Sequence, residues 1–260
     1  MKWPSELTLI RHGQSAYNAL RDEKEKDQDY LRFKNLYGRD AANNFNFTPE
    51  TIALAAELHK RYRPAVGDEK TPLTELGHKQ SYKTGRALSA TTLPEVIFIS
   101  PYLRTKQTLA GIIRGWPALA SVRAIEDERI REREVGIREI YGDWRFMNVS
   151  YPDQGRLHQL RDLFRYAPPQ GESMYDVQLR NRSFFQTLTR EFCGKRVFIV
   201  SHGHTILGTR SLQERWTAEK FIEMARENTP QNCSITLYRC DQTHSEDGKL
   251  VLIEYNKILY

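Results

Sequence analysis

Three short segments of this 260-residue sequence share one local grammar: Arg11-His12-Gly13-Gln14-Ser15, Ser100-Pro101-Tyr102-Leu103-Arg104 and Ser201-His202-Gly203-His204-Thr205. Each follows a short apolar run and carries a cation or an imidazole where the chain breaks into a turn and then a helix. In open parallel sheets, ligands bind outside the carboxyl ends of the strands. The same place exposes helix N-termini, whose free N–H groups favour anions. Two arginines and two histidines there describe a pocket for a compact dianion, and phosphate is the natural candidate. Taken alone, a histidine at a strand end is more often a hydrogen-bonded core residue. The joint occurrence at three strand ends carries the reading.

The elements that must position these residues follow from the apolar pattern. Leu7 to Ile10, Val96 to Ile99 and Val197 to Val200 are short, β-branched and flanked by turn residues, which predicts buried strands. Val122 to Ile125 is a further candidate. Ser234 to Arg239 and Leu250 to Tyr255 predict a hairpin pair, with the polar stretch ending in Glu246-Asp247-Gly248 as its loop. Thr74 and Glu75 open a helix running to about Leu88. Pro101 stands where a first helical residue should, with Ser100 as its N-cap. From Ser173, the spacing of Val177, Phe184, Leu188 and Phe192 keeps one apolar stripe. Thr217 caps a last helix through Arg226. Strands alternating with helices imply crossovers, hence a mostly parallel α/β sheet with helices on both faces. No internal repeat or linker divides the chain, so residues 1–260 are read as one domain.

One stretch departs from this order. Residues 21–70 open on the charge run Arg21-Asp22-Glu23-Lys24-Glu25-Lys26-Asp27 and continue through Asn- and aromatic-rich sequence, with a helix over Ile52 to Leu58. Charge runs usually face water, so the first expectation is a solvated surface excursion. Long connections are often functional, and the sharper expectation is an insertion that caps the site.

Composition sets the outer limits. With 39% hydrophobic and 28% charged residues, the chain has enough apolar material for a sizeable core. The formal net charge of +6 is spread along the sequence and suits an anionic ligand at least as well as nucleic acid. Cys193, Cys233 and Cys240 lack CxxC spacing, which argues against a disulfide framework or a thiolate zinc site. No stretch approaches the ~20 apolar residues that span a bilayer. The opening Met-Lys-Trp-Pro-Ser-Glu lacks an apolar signal core. The expectation is a reduced, cytoplasmic, soluble protein with a small phosphorylated substrate and neither nucleic acid nor membrane as partner; oligomeric state stays open.

Leu9-Ile10-Arg11-His12-Gly13-Gln14-Ser15, with Asn18, resembles the signature of the histidine phosphatase superfamily, which includes the cofactor-dependent phosphoglycerate mutases. Leu73-Thr74-Glu75-Leu76-Gly77 resembles that family's LTxxG helix start. Ser100 to Thr108 resembles its SPLxRxxQT element, and Ile130 to Gly136 its LxExxxG segment. Gly171-Glu172-Ser173 and Val200-Ser201-His202-Gly203 complete the series, in family order and across nearly the whole chain.

The resemblance implies roles. His12 would be the residue phosphorylated. Arg11 and Arg104 would clamp phosphoryl oxygens with forked donors that lysine cannot reproduce. Asn18 would donate a further hydrogen bond, and His202 would help bind the phosphoryl group. Glu132 would protonate the leaving oxygen and then activate water, with Glu134 as the fallback. Gln14 and Gly203 are secondary candidates. These cations stand where kinases use Mg²⁺, so neither metal nor other cofactor is expected. His202-x-His204 resembles paired metal ligands, but a third ligand at supporting spacing is missing. Ser201 lacks the G-x-S-x-G elbow of a serine hydrolase. Arg129, Arg131 and Arg133 read as an exposed ion-pair network, with contact to an anionic substrate tail as the alternative.

The mutases resembled here carry a long insertion between the acid glutamate and the Gly-Glu-Ser element. In this chain only residues 133–171 intervene between Glu132 and Glu172. Pro169-Gln170-Gly171-Glu172-Ser173 resembles the PxGES of phosphatase-type members. The expectation is a phosphomonoester hydrolase working through phosphohistidine, with a phosphoglycerate mutase as the alternative. A non-catalytic phospho-ligand or nucleic-acid binder is a further alternative, supported by the basic charge balance. Specificity is expected in residues 21–70 and 141–170.

Overall fold

The computed structural model describes residues 2–243 and 246–260. Its strands are β1 (Glu6–Arg11), β2 (Val96–Ile99), β3 (Ala124–Glu126), β4 (Arg196–Ser201), β5 (Ile235–Asp241) and β6 (Lys249–Lys257). Its helices are α1 (Ala16–Lys24), α2 (Gln28–Ala42), α3 (Pro49–Tyr62), α4 (Glu75–Leu88), α5 (Leu103–Gly115), α6 (Arg138–Tyr141), α7 (Trp144–Ser150), α8 (Pro152–Arg165), α9 (Met174–Glu191), α10 (Gly203–Gln213) and α11 (Ala218–Glu227). The described residues form two compact units. One holds the chain through Ser15 with Glu69–Glu132 and Asp176–Tyr260; the other holds Ala16–Asp68 and Arg133–Tyr175.

The first unit is built on a six-stranded sheet of order β3-β2-β4-β1-β5-β6. The run from β3 to β1 is parallel, and β5 and β6 are antiparallel additions. Successive strand residues face opposite sides, and here both sides are buried. Leu7, Leu9, Val96, Phe98, Val197 and Ile199 join Phe184, Phe185 and Leu188 of α9 and Ile206 of α10 in one core. Ile10, Ile97, Ile99, Phe198 and Val200 join Leu88 of α4 and Leu109 and Ile112 of α5 in the other. That double burial is why these strands read as unbroken apolar runs rather than as alternation. Each such side chain contributes about 1.5–3 kcal/mol on leaving water.

Thr74 accepts a hydrogen bond from the Gly77 N–H at 3.1 Å, and Thr217 caps α11 in the same manner. The fourth predicted strand is displaced, forming over Ala124–Glu126 instead of from Val122. The β5–β6 pair forms as expected, while His244 and Ser245 of the predicted hairpin loop lie outside the described residues. The reading of Ser100 and Pro101 needs correction: α5 begins at Leu103, with Tyr102 at its N-cap and no side-chain cap. Ser100 is engaged in a long-range contact instead. No helix among the described residues is long and apolar enough to cross a membrane.

The second unit has a core of its own, in which Tyr30, Phe33, Tyr37, Phe45, Leu58, Tyr62 and Phe146 are buried together. The charge run at 21–27 is therefore not simply a solvated surface. Asp27 caps α2, accepting from the Asp29 N–H at 2.7 Å, and also accepts from Arg61 and from the Tyr62 hydroxyl. Lys24 is buried with its Nζ 2.6 Å from Asp143 Oδ2, to which the Tyr30 hydroxyl donates at 2.5 Å. Asn18 is buried in α1. Arg133 corrects another expectation. It is buried, and donates to the carbonyls of Glu172 (2.7 Å) and Tyr166 (3.1 Å) rather than joining an exposed network. His158 lies against Tyr166 and Trp144, and its pKa falls to about 4 through burial and the charges of Arg133 and Arg138.

Candidate active site

Strand register brings the three segments together. Strand β4 lies between β2 and β1, and pairs Val200 with Ile99 and Ser201 with Arg11. The backbone N–H of His12 donates to the Ser201 carbonyl at 3.0 Å, and that of Ser100 to the Val200 carbonyl at 3.1 Å. Three parallel strands thus break side by side at their carboxyl ends.

The loop after β1 is seated on the start of α4. A methyl group on Gly77 would lie 2.2 Å from the Gln14 carbonyl oxygen, and one on Gly13 would lie 2.6 Å from the Gly77 carbonyl oxygen. The glycine of the LTELG segment is there because two backbones touch. Gln14 belongs to this joint: its N–H donates to Gln80 and its side-chain oxygen accepts from the Thr74 hydroxyl at 2.8 Å. The Gly13 N–H donates to Thr108 Oγ1 at 3.0 Å, tying the loop to α5 as well.

His12 is buried, with Nδ1 2.7 Å from the Gly13 carbonyl. A carbonyl only accepts, so Nδ1 carries the proton and Nε2 keeps its lone pair. Arg104 Nε donates to that Nε2 at 3.2 Å. Burial holds the His12 pKa well below the ordinary histidine value, and the charges of Arg104 and Arg11 push the same way. The Gly13 hydrogen bond and Glu132 oppose them. The balance leaves a neutral imidazole whose Nε2 is exposed to positive charge.

His202 packs edge-on to His12, with ring centroids 5.2 Å apart. It is the N-cap residue of α10, and burial together with Arg104 lowers its pKa well below the usual value. The Ser100 hydroxyl lies 2.7 Å from its Nε2. Tyr102 braces both neighbours, its ring 5.0 Å from the His202 ring and 4.8 Å from the Arg104 guanidinium. Arg11 donates to the Pro230 carbonyl at 2.5 Å. Gly203 lies beside it: an added methyl would meet Arg11 Nε at 3.6 Å, an ordinary contact.

Glu132 stands at the end of a segment held by its carbonyls. Arg180 donates to the carbonyls of Arg129 (2.8 Å) and Glu132 (3.0 Å), Ser201 Oγ to that of Ile130 (2.7 Å), and Thr205 Oγ1 to that of Arg131 (2.5 Å). Its carboxylate opposes the depressed pKa of both His12 and His202. Its Oε1 is 3.4 Å from His204 Nδ1. His204 thus faces a carboxylate, and among the described residues no group of three His, Cys, Asp or Glu side chains converges as a metal set. Glu134 belongs to the second unit, where its backbone exchanges hydrogen bonds with Glu172.

The first unit therefore gathers His12, His202, Arg11, Arg104 and Glu132, whereas Gln14 is committed to the α4 joint. Sequence reasoning missed Arg180, Thr205, Thr108 and Tyr102 as supports, and assigned Ser100 and Ser201 no part in the site. All but Arg180 lie inside the motif segments, which was the signal available. A neutral imidazole lone pair flanked by guanidiniums, with a carboxyl group nearby, is suited to accept an electrophilic anion and to move a proton.

Comparison with known proteins agrees. The pattern of the histidine phosphatase superfamily (branch 1) matches residues 53–251, a span containing Arg104, Glu132 and His202. A phosphoglycerate mutase-like protein of Arabidopsis thaliana is 28% identical over 64% of this chain, and the aligned region covers 63% of that protein, just under two thirds. A 2,3-bisphosphoglycerate-dependent phosphoglycerate mutase of a Chelativorans species is 28% identical over 58% of this chain and 74% of its own length. The solved structure of a mycobacterial glucosyl-3-phosphoglycerate phosphatase superposes with a TM-score of 0.63 at 20% identity, covering 97% of this chain and 99% of that one, a likeness of fold. With Arg11 and His12 placed by β1 beside that matched span, the chain belongs to the histidine phosphatase superfamily.

Proposed function

We propose that the protein is a phosphomonoester hydrolase working through a phosphohistidine on His12. The observation that carries this reading is the state of His12: Nδ1–H is bound to the Gly13 carbonyl, and the Nε2 lone pair faces Arg104. In the first step Nε2 attacks phosphorus. The N–P bond forms, the ester P–O bond breaks, and the Glu132 carboxyl gives its proton to the departing oxygen. In the second step water attacks phosphorus, the N–P bond breaks, and Glu132 takes the water proton as inorganic phosphate leaves. Arg11, Arg104 and His202 hold the phosphoryl oxygens in this scheme, which stabilises the transition-state charge by pre-set donors.

The second reading is a phosphoglycerate mutase, favoured by the names of the sequence relatives. The short 133–171 interval between Glu132 and Glu172 favours hydrolysis. Assays with p-nitrophenyl phosphate, and separately with 3-phosphoglycerate plus 2,3-bisphosphoglycerate, separate the two. Phosphate release in the first without fast isomerisation in the second is expected. His12→Ala should lower release at least ~10³-fold while the protein stays folded. Rapid isomerisation, or release that survives His12→Ala, overturns the reading.

A further inference from the structure

We propose that Ser100 is a positioning residue that fixes the tautomer of His202, making its Nδ1–H a hydrogen-bond donor reserved for an anion oxygen. The inference rests on the phosphoryl-site reading for the identity of that anion. The geometry behind it does not.

The Ser100 hydroxyl has one hydrogen to place. Its side chain is fully buried, so water does not take it. Its partners are His202 Nε2 at 2.7 Å and the Tyr102 N–H at 3.5 Å. The Tyr102 N–H only donates. The imidazole nitrogen is thus the acceptor, because leaving a buried hydroxyl hydrogen unpaired is costly. With Nε2 accepting, a neutral His202 carries its proton on Nδ1. Burial and the neighbouring Arg104 charge keep the ring neutral.

The far side of the ring supplies the second half of the argument. His202 Nδ1 is buried without any hydrogen-bond partner. Buried N–H groups are nearly always paired, so one held open marks a place where something else is to bind. This ring packs against His12, the residue proposed to receive the phosphoryl group. The opposite tautomer would put a lone pair on Nδ1, and lone pair against phosphoryl oxygen is repulsive. Ser100 therefore decides whether His202 attracts or repels the group it faces.

The measurement is a long-range ¹H–¹⁵N correlation spectrum of the histidine-labelled protein, without substrate. The expected His202 pattern is a protonated-type Nδ1 and a lone-pair-type Nε2. In Ser100→Ala the pattern should shift toward the Nε2–H form, and the inhibition constant of inorganic phosphate should rise about tenfold. Ser100→Thr, which keeps the hydroxyl, should restore the pattern. An Nε2–H pattern in the unsubstituted protein overturns the proposal, and that spectrum needs no variant to fold. A tautomer unchanged in Ser100→Ala overturns it as well. The expected tautomer in a protein that binds no phosphate would instead retire the phosphoryl-site reading.

Discussion

His12 in the sheet-bearing unit and Asp143 in the second unit are both buried ionisable groups beside two cations, and their fates are opposite. At Asp143 burial pushes the carboxyl pKa up, but Lys24 and Arg145 overcome it, so the pKa ends below the usual value. The result is a closed pair, with Lys24 and Tyr30 both donating to one carboxylate oxygen. At His12, burial and the charges of Arg104 and Arg11 act in the same direction, against weaker opposition. The result is a neutral imidazole whose Nε2 accepts from Arg104. Opposed effects leave Asp143 charged and paired, whereas additive ones keep the His12 imidazole neutral.

The comparison breaks most visibly at Asp143. Asp143→Ala leaves Lys24 buried opposite nothing and should cost about 3–5 kcal/mol in urea unfolding. Replacing both partners with apolar residues (Lys24→Met with Asp143→Leu) should recover only part of it, because the Tyr30 hydroxyl and the Arg145 N–H also lose their acceptor. If the single change is neutral, the pair is not the scaffold described. Next in size is the backbone contact under the His12 loop. Gly77→Ala forces a methyl into the Gln14 carbonyl and should cost about 1–3 kcal/mol, with weakened turnover because the loop carrying His12 must move. Unaltered turnover would show that the loop position is not set there.

Acid titration sharpens the contrast further. His12, His202 and His158 all have native pKa values below the ordinary 6.5. The unfolded chain therefore binds protons that the native protein refuses. Stability is complete above about pH 6.5 and declines as pH falls toward the native values, with a ceiling of about 1.4 kcal/mol per pH unit for each fully buried imidazole. Thermal midpoints at pH 7 and pH 5 should show the fall, and His158→Phe should shallow it. A flat profile would mean that these rings are protonated in the fold. Smallest of all is Gly203→Ala, where the added methyl meets only ordinary contacts; its stability should stay within about 0.5 kcal/mol of the parent.

How much was legible in the sequence follows the range of each interaction. Local signals read well: Val96–Ile99 is a strand to the residue, and Thr74 caps the helix it was expected to cap. The histidines and arginines that the structure gathers were legible because each lies at the end of a strand or in the segment that follows one, Arg104 within α5 after β2. Ser100 misread as a helix cap because its true partner, His202, is 102 residues away. Arg133 and Lys24 misread as surface charges for the same reason. Their acceptors lie at Tyr166, Glu172 and Asp143, and a charge looks solvated in sequence until its distant partner is known. The second unit was half visible. Residues 21–70 stood out by composition, but nothing local tied them to 133–175.

One small pairing carries a larger consequence. Ser15 and Leu73 form an isolated antiparallel bridge where the chain leaves and rejoins the sheet-bearing unit. The intervening stretch is thus a loop stitched shut at its stem. Closing such a loop grows costlier only logarithmically, about 0.6 kcal/mol for each doubling of its length. A change in the length of that stretch therefore adds little to the cost of closing it.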